Sequence, residues 1–293
     1  MLNLQDIHEP KTIEDALRLL QQPGTVALAG GTQLIADKRR DVRAVVDLSA
    51  LGLTYIRENA GAIAIGATTT LAELVESPIL RAMANGVVAQ AAHRSAASVL
   101  RNQATIAGTL IAEPDGILAV VLLAMDARIT SSPFPPFLLG EWVGGEVGFL
   151  ARRAELLSQG ALVTEICVPT TNPRASLQTV ERTPRDKPIV SVCAAARIEI
   201  LRGVYTEQSE RAQNDKVARD VRIALGGVGE TAVRASAAEQ ALEGQTLSDA
   251  VIESAARTAA EGLTPRGDVR GSAEYRQEMA VVLTRRAVKE LMV

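Results

Sequence analysis

Two glycine-rich turns carry the clearest chemical signal in this 293-residue chain: Ala29-Gly30-Gly31-Thr32-Gln33-Leu34 and Ala104-Thr105-Ile106-Ala107-Gly108-Thr109-Leu110. Each follows a short stretch that can run into a tight turn, and each leads into an apolar segment. Bare backbone N–H groups in such turns form anion-binding concavities, and glycine lets a phosphate approach with no Cβ in the way. A pair of them suits a ligand with two phosphates held at its middle, as in a dinucleotide. Other chemistries lack their parts. The two cysteines, Cys167 and Cys193, lie in apolar β-like runs and read as buried thiols; they cannot ligate a four-cysteine cluster. His8 and His93 lie far apart and have no carboxylate or cysteine at ligand spacing, so neither a metal site nor a hydrolytic triad is expected. Gly226-Gly227-Val228-Gly229 lacks the Gly-Lys-Ser/Thr of a phosphate-binding loop and reads as a strand-to-helix turn.

Composition narrows the class. Apolar residues make up 47% of the chain but aromatics only 2%, so alanine, valine and leucine must fill the core. A net charge of −3 without a basic stripe argues against nucleic acid as the main partner. No apolar run reaches the roughly 18–20 residues of a membrane span. The opening segment has no basic stretch followed by an apolar one, so a cytoplasmic protein is expected.

The elements that must hold the two turns follow from pattern. Thr12 begins a helix whose stripe is Ile13, Ala16, Leu17 and Leu20, ended by Pro23-Gly24. Strands are expected over 25–30 and 44–49, and a hairpin over 55–67 turns at Asn59-Ala60-Gly61. Thr70 caps a short helix, a longer one is expected from Ile79 to Ala92, and 118–129 is too apolar to lie outside the interior. Residues 131–147 hold three prolines with Phe134, Phe137 and Trp142, which reads as irregular structure and one candidate docking surface. A strand over 160–169 precedes a joint at 171–176. Two long strands then flank a polar excursion at 202–216, followed by helices near 233–242, 248–262 and 273–292. The C-terminal third is therefore α+β, a small antiparallel sheet covered by helices.

Five segments occur in order: LAGGTQLIADK (28–38), IAIGATTTLAEL (63–74), LRNQATIAGTL (100–110), IALGGVGETAVRA (223–235) and DVRGSAEYRQEMAVVLTRRAV (268–288). Together they resemble the FAD-binding medium subunit of the molybdenum hydroxylases, the carbon monoxide dehydrogenase and xanthine dehydrogenase family, over essentially the whole chain. The resemblance implies a two-subdomain α+β FAD-binding domain of the PCMH (vanillyl-alcohol-oxidase) type over 1–170 and a small α+β domain over 175–293. It implies noncovalent FAD with its pyrophosphate on Ala29 to Leu34 and on Ala104, Thr105, Ile106, Ala107, Gly108 and Thr109. The site would extend to Asp115, Val163 and Lys187, the last in the charged loop 181–187. It also implies two partners, a large subunit with the molybdenum cofactor and a small two-iron two-sulfur subunit, with electrons passing through FAD to an external acceptor.

The chain departs from that pattern at several points. Ala107 stands where the family has glycine, and Thr109 where it has Asn or Asp. Ile117 stands where an aspartate follows Pro114 by three residues and binds the adenosine ribose; Asp115 comes two positions early. Leu177-Gln178-Thr179 occupies a place where relatives often carry an aromatic. If residue 107 needs a left-handed backbone, alanine costs about 1–2 kcal/mol, and a lost charge-assisted hydrogen bond costs about 1.5–3 kcal/mol. Together they would weaken FAD on the order of 10²–10⁴-fold. An electron-transfer flavoprotein subunit is therefore the expected function. A flavin-impaired scaffold and a free-standing reductase resembling UDP-N-acetylenolpyruvoylglucosamine reductase are the alternatives.

Overall fold

The computed structural model describes residues 4–59, 61–134, 137–139, 155, 157–183, 186–201 and 215–293. Three sheets organise them. The first is parallel, in the order β1-β3-β2, from β1 (Asp6–His8), β2 (Thr25–Leu28) and β3 (Ala44–Asp47). Parallel neighbours need crossovers. Helix α1 (Ile13–Leu20) supplies the first, and Thr12 caps it by accepting from the Asp15 amide at 3.1 Å. Its expected stripe packs with Val46, Leu48 and Leu162 into a small core of its own. Helix α2 (Thr32–Ala36) begins the second crossover. Strand β1, whose adjacent Asp6 and Ile7 are both exposed, offered no alternation to the sequence.

The second sheet is antiparallel: β4 (Ile56–Asn59), β5 (Ala62–Gly66), β8 (Leu162–Pro169), β6 (Arg128–Ser132) and β7 (Phe137–Leu138), in that order. Ile65, Ile166 and Ile129 stand opposite one another across its centre and are buried. Helices α3 (Leu71–Glu76), α4 (Pro78–Ala82), α5 (Val87–Ser95), α6 (Ser98–Arg101), α7 (Ile106–Ala112) and α8 (Ile117–Ala124) accompany it. Thr70 and Glu73 form a full capping box on α3. The single helix expected over 79–92 is broken. Ala84, Asn85 and Gly86 all have positive φ, and Asn85 donates to the Ala175 carbonyl at 3.3 Å. The Asn-Gly pair is a turn signal that outweighs helical periodicity here. The segment after 131 is also more regular than expected, since β6 reaches Ser132 and β7 pairs with it. Phe134 is half-buried against the core, and Trp142 lies outside the described residues.

The third sheet, β12-β11-β10-β9, is antiparallel: β9 (Arg174–Val180), β10 (Val190–Leu201), β11 (Asp215–Gly226) and β12 (Val233–Arg234). Strand β9 begins inside the expected joint, and β12 takes the first residues expected of a helix. Helices α9 (Ser236–Leu242), α10 (Asp249–Ala260) and α11 (Ala273–Glu290) cover one face. Period-two alternation splits β10 between two cores. Val190, Val192, Ala194 and Ala196 face the helices, whereas Cys193 and Ala195 join the core containing α8. All eight residues of α8 are buried, so its apolar run is indeed interior. Burial pushes the Cys193 thiol up to about 12, which leaves it inert.

The segment 268–276 explains itself as a clamp. The Asp268 carboxylate accepts from the amides of Arg270 (2.9 Å) and Gly271 (3.2 Å) and from the Arg276 Nη2 (2.7 Å). Ser272 caps α11. Arg276, only 3% exposed, donates through Nη1 to the carbonyls of Ile189 (2.5 Å) and Gly227 (2.7 Å). A Cβ on Gly227, whose φ is +76°, would lie 2.2 Å from the Ile189 oxygen. The backbone is thereby pinned at Ile189, just ahead of β10 and two residues beyond Lys187. Burial alone would raise the Asp268 carboxyl, but the Arg270 amide and the guanidiniums of Arg270 and Arg276 outweigh it and hold it well below the usual range. Its contribution to stability is thus complete above about pH 4 and is lost as pH falls further towards the depressed value. Asp268→Asn should destabilise the fold by about 1.5–3 kcal/mol at neutral pH. The difference in melting temperature from the parent should shrink as melts are repeated below pH 4; a constant difference would mean that the charge is not what holds the clamp.

Candidate functional site

The two glycine turns touch. The first leaves the end of β2, where Gly31 adopts a left-handed backbone (φ +68°) as the N-cap residue of α2. The second runs beside the segment after β5. The Leu71 amide donates to Ala104 (2.8 Å), the Ile106 amide to Thr69 (2.9 Å) and the Ala107 amide to Ala67 (3.3 Å). Gly30 lies directly over this second turn. A Cβ there would sit 1.7 Å from the Gln103 carbonyl oxygen, so no other residue fits without moving a backbone.

Together the turns wall a cavity of about 1160 Å³. That exceeds the roughly 300–1,000 Å³ of an ordinary small-molecule site and gives room for a dinucleotide. Ala29, Gly30, Gly31, Thr32, Gln33 and Leu34 line it, as do Ala104, Thr105, Ala107, Gly108 and Thr109. Val163 on β8 and Lys187 complete the wall on other sides. Two residues of the expected set stand off it. Ile106 is fully buried in the core, and Asp115 holds the Lys187 Nζ at 2.7 Å from behind.

The turns differ in what they offer. First-turn amides of a helix have no intrahelical acceptor, and those of α2, from Thr32 to Leu34, belong to residues of the cavity wall. The corresponding amides of α7 are already used: Ile106 and Ala107 donate as above, and Gly108 donates to the Thr105 Oγ1 at 3.2 Å. At α8 the wall holds the N-cap Gly116, whose own amide donates to the Glu113 carbonyl at 2.9 Å, and the first residue Ile117, whose amide has no intrahelical acceptor. Ala107 also behaves differently from expectation. It lies in the first turn of α7, and no positive φ is found there, so alanine carries no left-handed penalty. The glycine that glycine pairing would favour at this position is not required by the backbone.

Sequence reasoning missed several wall residues. Arg94, on α5, reaches Thr179 on β9 through Nη1 at 2.9 Å, so the place where an aromatic was expected is tied by a guanidinium instead. Ala96, Ala97 and Leu100 line the cavity with no signal beyond their proximity to the second turn. Glu113 lines it too; burial pushes its carboxyl up, the Lys187 charge lowers it and the Asp115 charge raises it. It immediately precedes Pro114, which was the one pointer available. The charged groups on the wall, Arg39, Arg94 and Lys187 against Asp37, Glu113 and Asp186, nearly balance. A site of this kind holds an anionic centre by oriented amides rather than by excess positive charge. The residues present therefore fit a dinucleotide.

Comparisons with known proteins agree with this geometry. Residues 2–171 match the model of the FAD binding domain in molybdopterin dehydrogenase, and residues 160–291 match that of the CO dehydrogenase flavoprotein C-terminal domain. The chain is 30% identical to the 6-hydroxypseudooxynicotine dehydrogenase complex subunit alpha of Paenarthrobacter nicotinovorans, covering 96% of this chain and 92% of that one. It is 27% identical to the glyceraldehyde dehydrogenase medium chain of Sulfolobus acidocaldarius, over 96% of each. Among solved structures, carbon monoxide dehydrogenase from Hydrogenophaga pseudoflava superposes with a TM-score of 0.82 at 25% identity, over 98% of this chain and 96% of that one. The two-subdomain FAD-binding architecture with an α+β C-terminal domain is thus the fold of this chain, and FAD is its cofactor. It belongs to the family of FAD-binding oxidoreductase subunits of the molybdenum hydroxylases, typified by the carbon monoxide dehydrogenase medium chain.

Proposed function

We propose that this chain is the electron-transfer subunit of a molybdenum hydroxylase complex, taking electrons from iron–sulfur clusters on a neighbouring subunit and delivering them to an external acceptor. The observation that carries the reading is the contact of the two glycine turns on the wall of a single dinucleotide-sized cavity. Bound flavin supplies exchange between one-electron and two-electron carriers; the protein supplies placement and tuning. In this reading Gly30 and Gly31 bring the α2 amides up to one phosphate, and the turn at Gly116 brings the Ile117 amide up to the other. Thr105 and Thr109 present hydroxyls beside them. Asp115 acts from outside the cavity, fixing the Lys187 ammonium on its wall. Residues 1–170 would form the FAD-binding unit and 175–293 the C-terminal one.

Such a chain needs partners, since two cysteines cannot hold a cluster. The relatives' names describe a subunit of a dehydrogenase complex and medium chains, which supports a large molybdenum-cofactor partner and a small two-iron two-sulfur partner. The charged loop 181–187 is a second candidate contact segment beside 131–147, and it reaches the cavity through Asp186 and Lys187. The other, 131–147, turns Phe134 inward, and much of its remainder lies outside the described residues. Val99 and Leu100, 75% and 48% exposed, form a third apolar surface, and Leu100 also lines the cavity.

Titration of the purified chain with FAD should quench flavin fluorescence and raise the melting temperature by mass action. No response at roughly 100 μM FAD would defeat the flavin reading and favour a scaffold. Gly31→Val should abolish binding while the protein still melts cooperatively, because a β-branched residue is strongly disfavoured at positive φ and the turn that presents the amides would re-form. Ala107→Gly should leave FAD affinity within about threefold, well under the 1.4 kcal/mol of a tenfold change; a large gain would restore the left-handed requirement that the backbone argues against. Purification from the native host at native expression should bring down a large molybdenum-cofactor protein and a small iron–sulfur protein. Recovery of the chain alone, with its flavin reduced directly by NADH, would point to a free-standing reductase.

A further inference from the structure

Glu113 is a carboxylate without a partner in a place where one is needed. It ends α7, lines the cavity and is half-buried, and although its backbone bonds Thr109 and Gly116, its carboxylate makes no hydrogen bond or ion pair among the described residues. Its neighbours are otherwise engaged: Lys187 is bound to Asp115, and Asp186 lies within reach of Arg182 at 3.6 Å. The side chain folds over Gly116, so closely that a Cβ there would come within 3.0 Å of the Glu113 Oε2. Its oxygens are open to solvent in the cavity; once a ligand displaces that solvent, an acceptor left unpaired is unfavourable, and a phosphate cannot be its complement because the charges repel. Only a donor can satisfy it. Glu113 sits beside the α8 amides, where the negative centre of a dinucleotide is served, so it meets the groups next to the pyrophosphate rather than either ring end. In a dinucleotide those groups are the hydroxyls of a ribose or ribityl chain.

We propose that Glu113 binds a hydroxyl pair of the dinucleotide, replacing the carboxylate that Ile117 does not supply, and so sets the selectivity of the site for a hydroxylated ligand. This inference rests on the flavin reading above. Ile117 cannot take the role, being apolar and 3% exposed at the first position of α8. Asp115 cannot take it either, because its carboxylate faces Lys187 and not the cavity. A carboxylate can accept from two adjacent hydroxyls at once, and such charge-assisted bonds are the stronger kind.

The test compares the full-length parent chain with Glu113→Ala and Glu113→Gln, using FAD and two analogues. One analogue carries a 2′,3′-dideoxy adenosine ribose; the other has an alkyl chain in place of the ribityl chain. Melting curves first establish that each variant folds. Glu113→Ala should weaken FAD by about ten- to a hundredfold, with Glu113→Gln between it and the parent. One of the two analogues should bind the parent as weakly as FAD binds Glu113→Ala, and should then lose no more than about threefold from the substitution. Insensitivity of the dideoxy analogue identifies the ribose, and insensitivity of the alkyl analogue the ribityl chain. If folded Glu113→Ala binds FAD as the parent does, or loses both analogues as heavily as FAD, the assignment is overturned while the flavin reading stands. If the parent binds no FAD at all, both fall.

Discussion

The approach of Gly30 to the Gln103 carbonyl is the constraint on which the site depends. The parallel sheet has little to hold it in place otherwise: its own core is a handful of side chains, Ala16, Val46, Leu48 and Leu162 among them. What fixes its position against the antiparallel sheet is a backbone-to-backbone contact at the rim of the cavity, with Leu162 on β8 behind it. Because the neighbour is a main-chain carbonyl, no side chain can be inserted between the turns without moving a backbone. The cavity is consequently a property of the seam between two sheets, and neither sheet alone has it.

A second seam closes the cavity from the other side. Lys187 leans across to Asp115, in the turn between α7 and α8, and so joins the third sheet's leading loop to the second sheet's helices. The loop can do this because Arg276 grips Ile189 a short distance downstream. The sequence DVRGSAEYR thus acts at a distance, holding a strand start rather than touching a ligand. A further ionic cluster strengthens the same junction: Arg234 binds Glu239 at 2.6 Å and Asp126 at 2.8 Å, and Arg222 reaches Asp126 as well. Arg234 is well buried, and burial opposes its charge, but the Glu239 and Asp126 carboxylates outweigh that and raise it further. Such a pair is best regarded as fixing the register of β11 and β12 against α8.

The sequence revealed most where short-range chemistry governs. The caps at Thr12 and Thr70, the hairpin at 56–66 and the long strands β10 and β11 were legible because cap residues, Gly-bearing turns and period-two alternation are local. The glycine turns were legible for the same reason, and the family resemblance joined them. What was hidden depends on tertiary partners. Ala84 to Gly86 break a helix whose side-chain periodicity runs on across the break, and Asn85 finds its acceptor on β9, far along the chain. The spending of the α7 amides on Ala67 and Thr69 is likewise invisible until the strands are laid side by side. Glu113 and Asp115, two residues apart, could not be told apart as cavity-facing and outward-facing without knowing where Lys187 lands.

Helix α8 has a consequence for how such a chain could change. Its buried residues share one core with Cys193, Ala195 and Ala224 of the third sheet as well as with Ile63, Ile65 and Ile166 of the second. The apolar helix is therefore a common wall, and the small alanines of β10 and β11 are cut to its surface. A crossover between two relatives anywhere near residues 171–174 would join a helix from one parent to a sheet from the other. Only exchanges that keep α8 and the inward residues of β10 and β11 as a matched set would leave that wall closed, so these elements should be inherited together even though 65 residues separate α8 from β10, and 90 separate it from β11, in the chain.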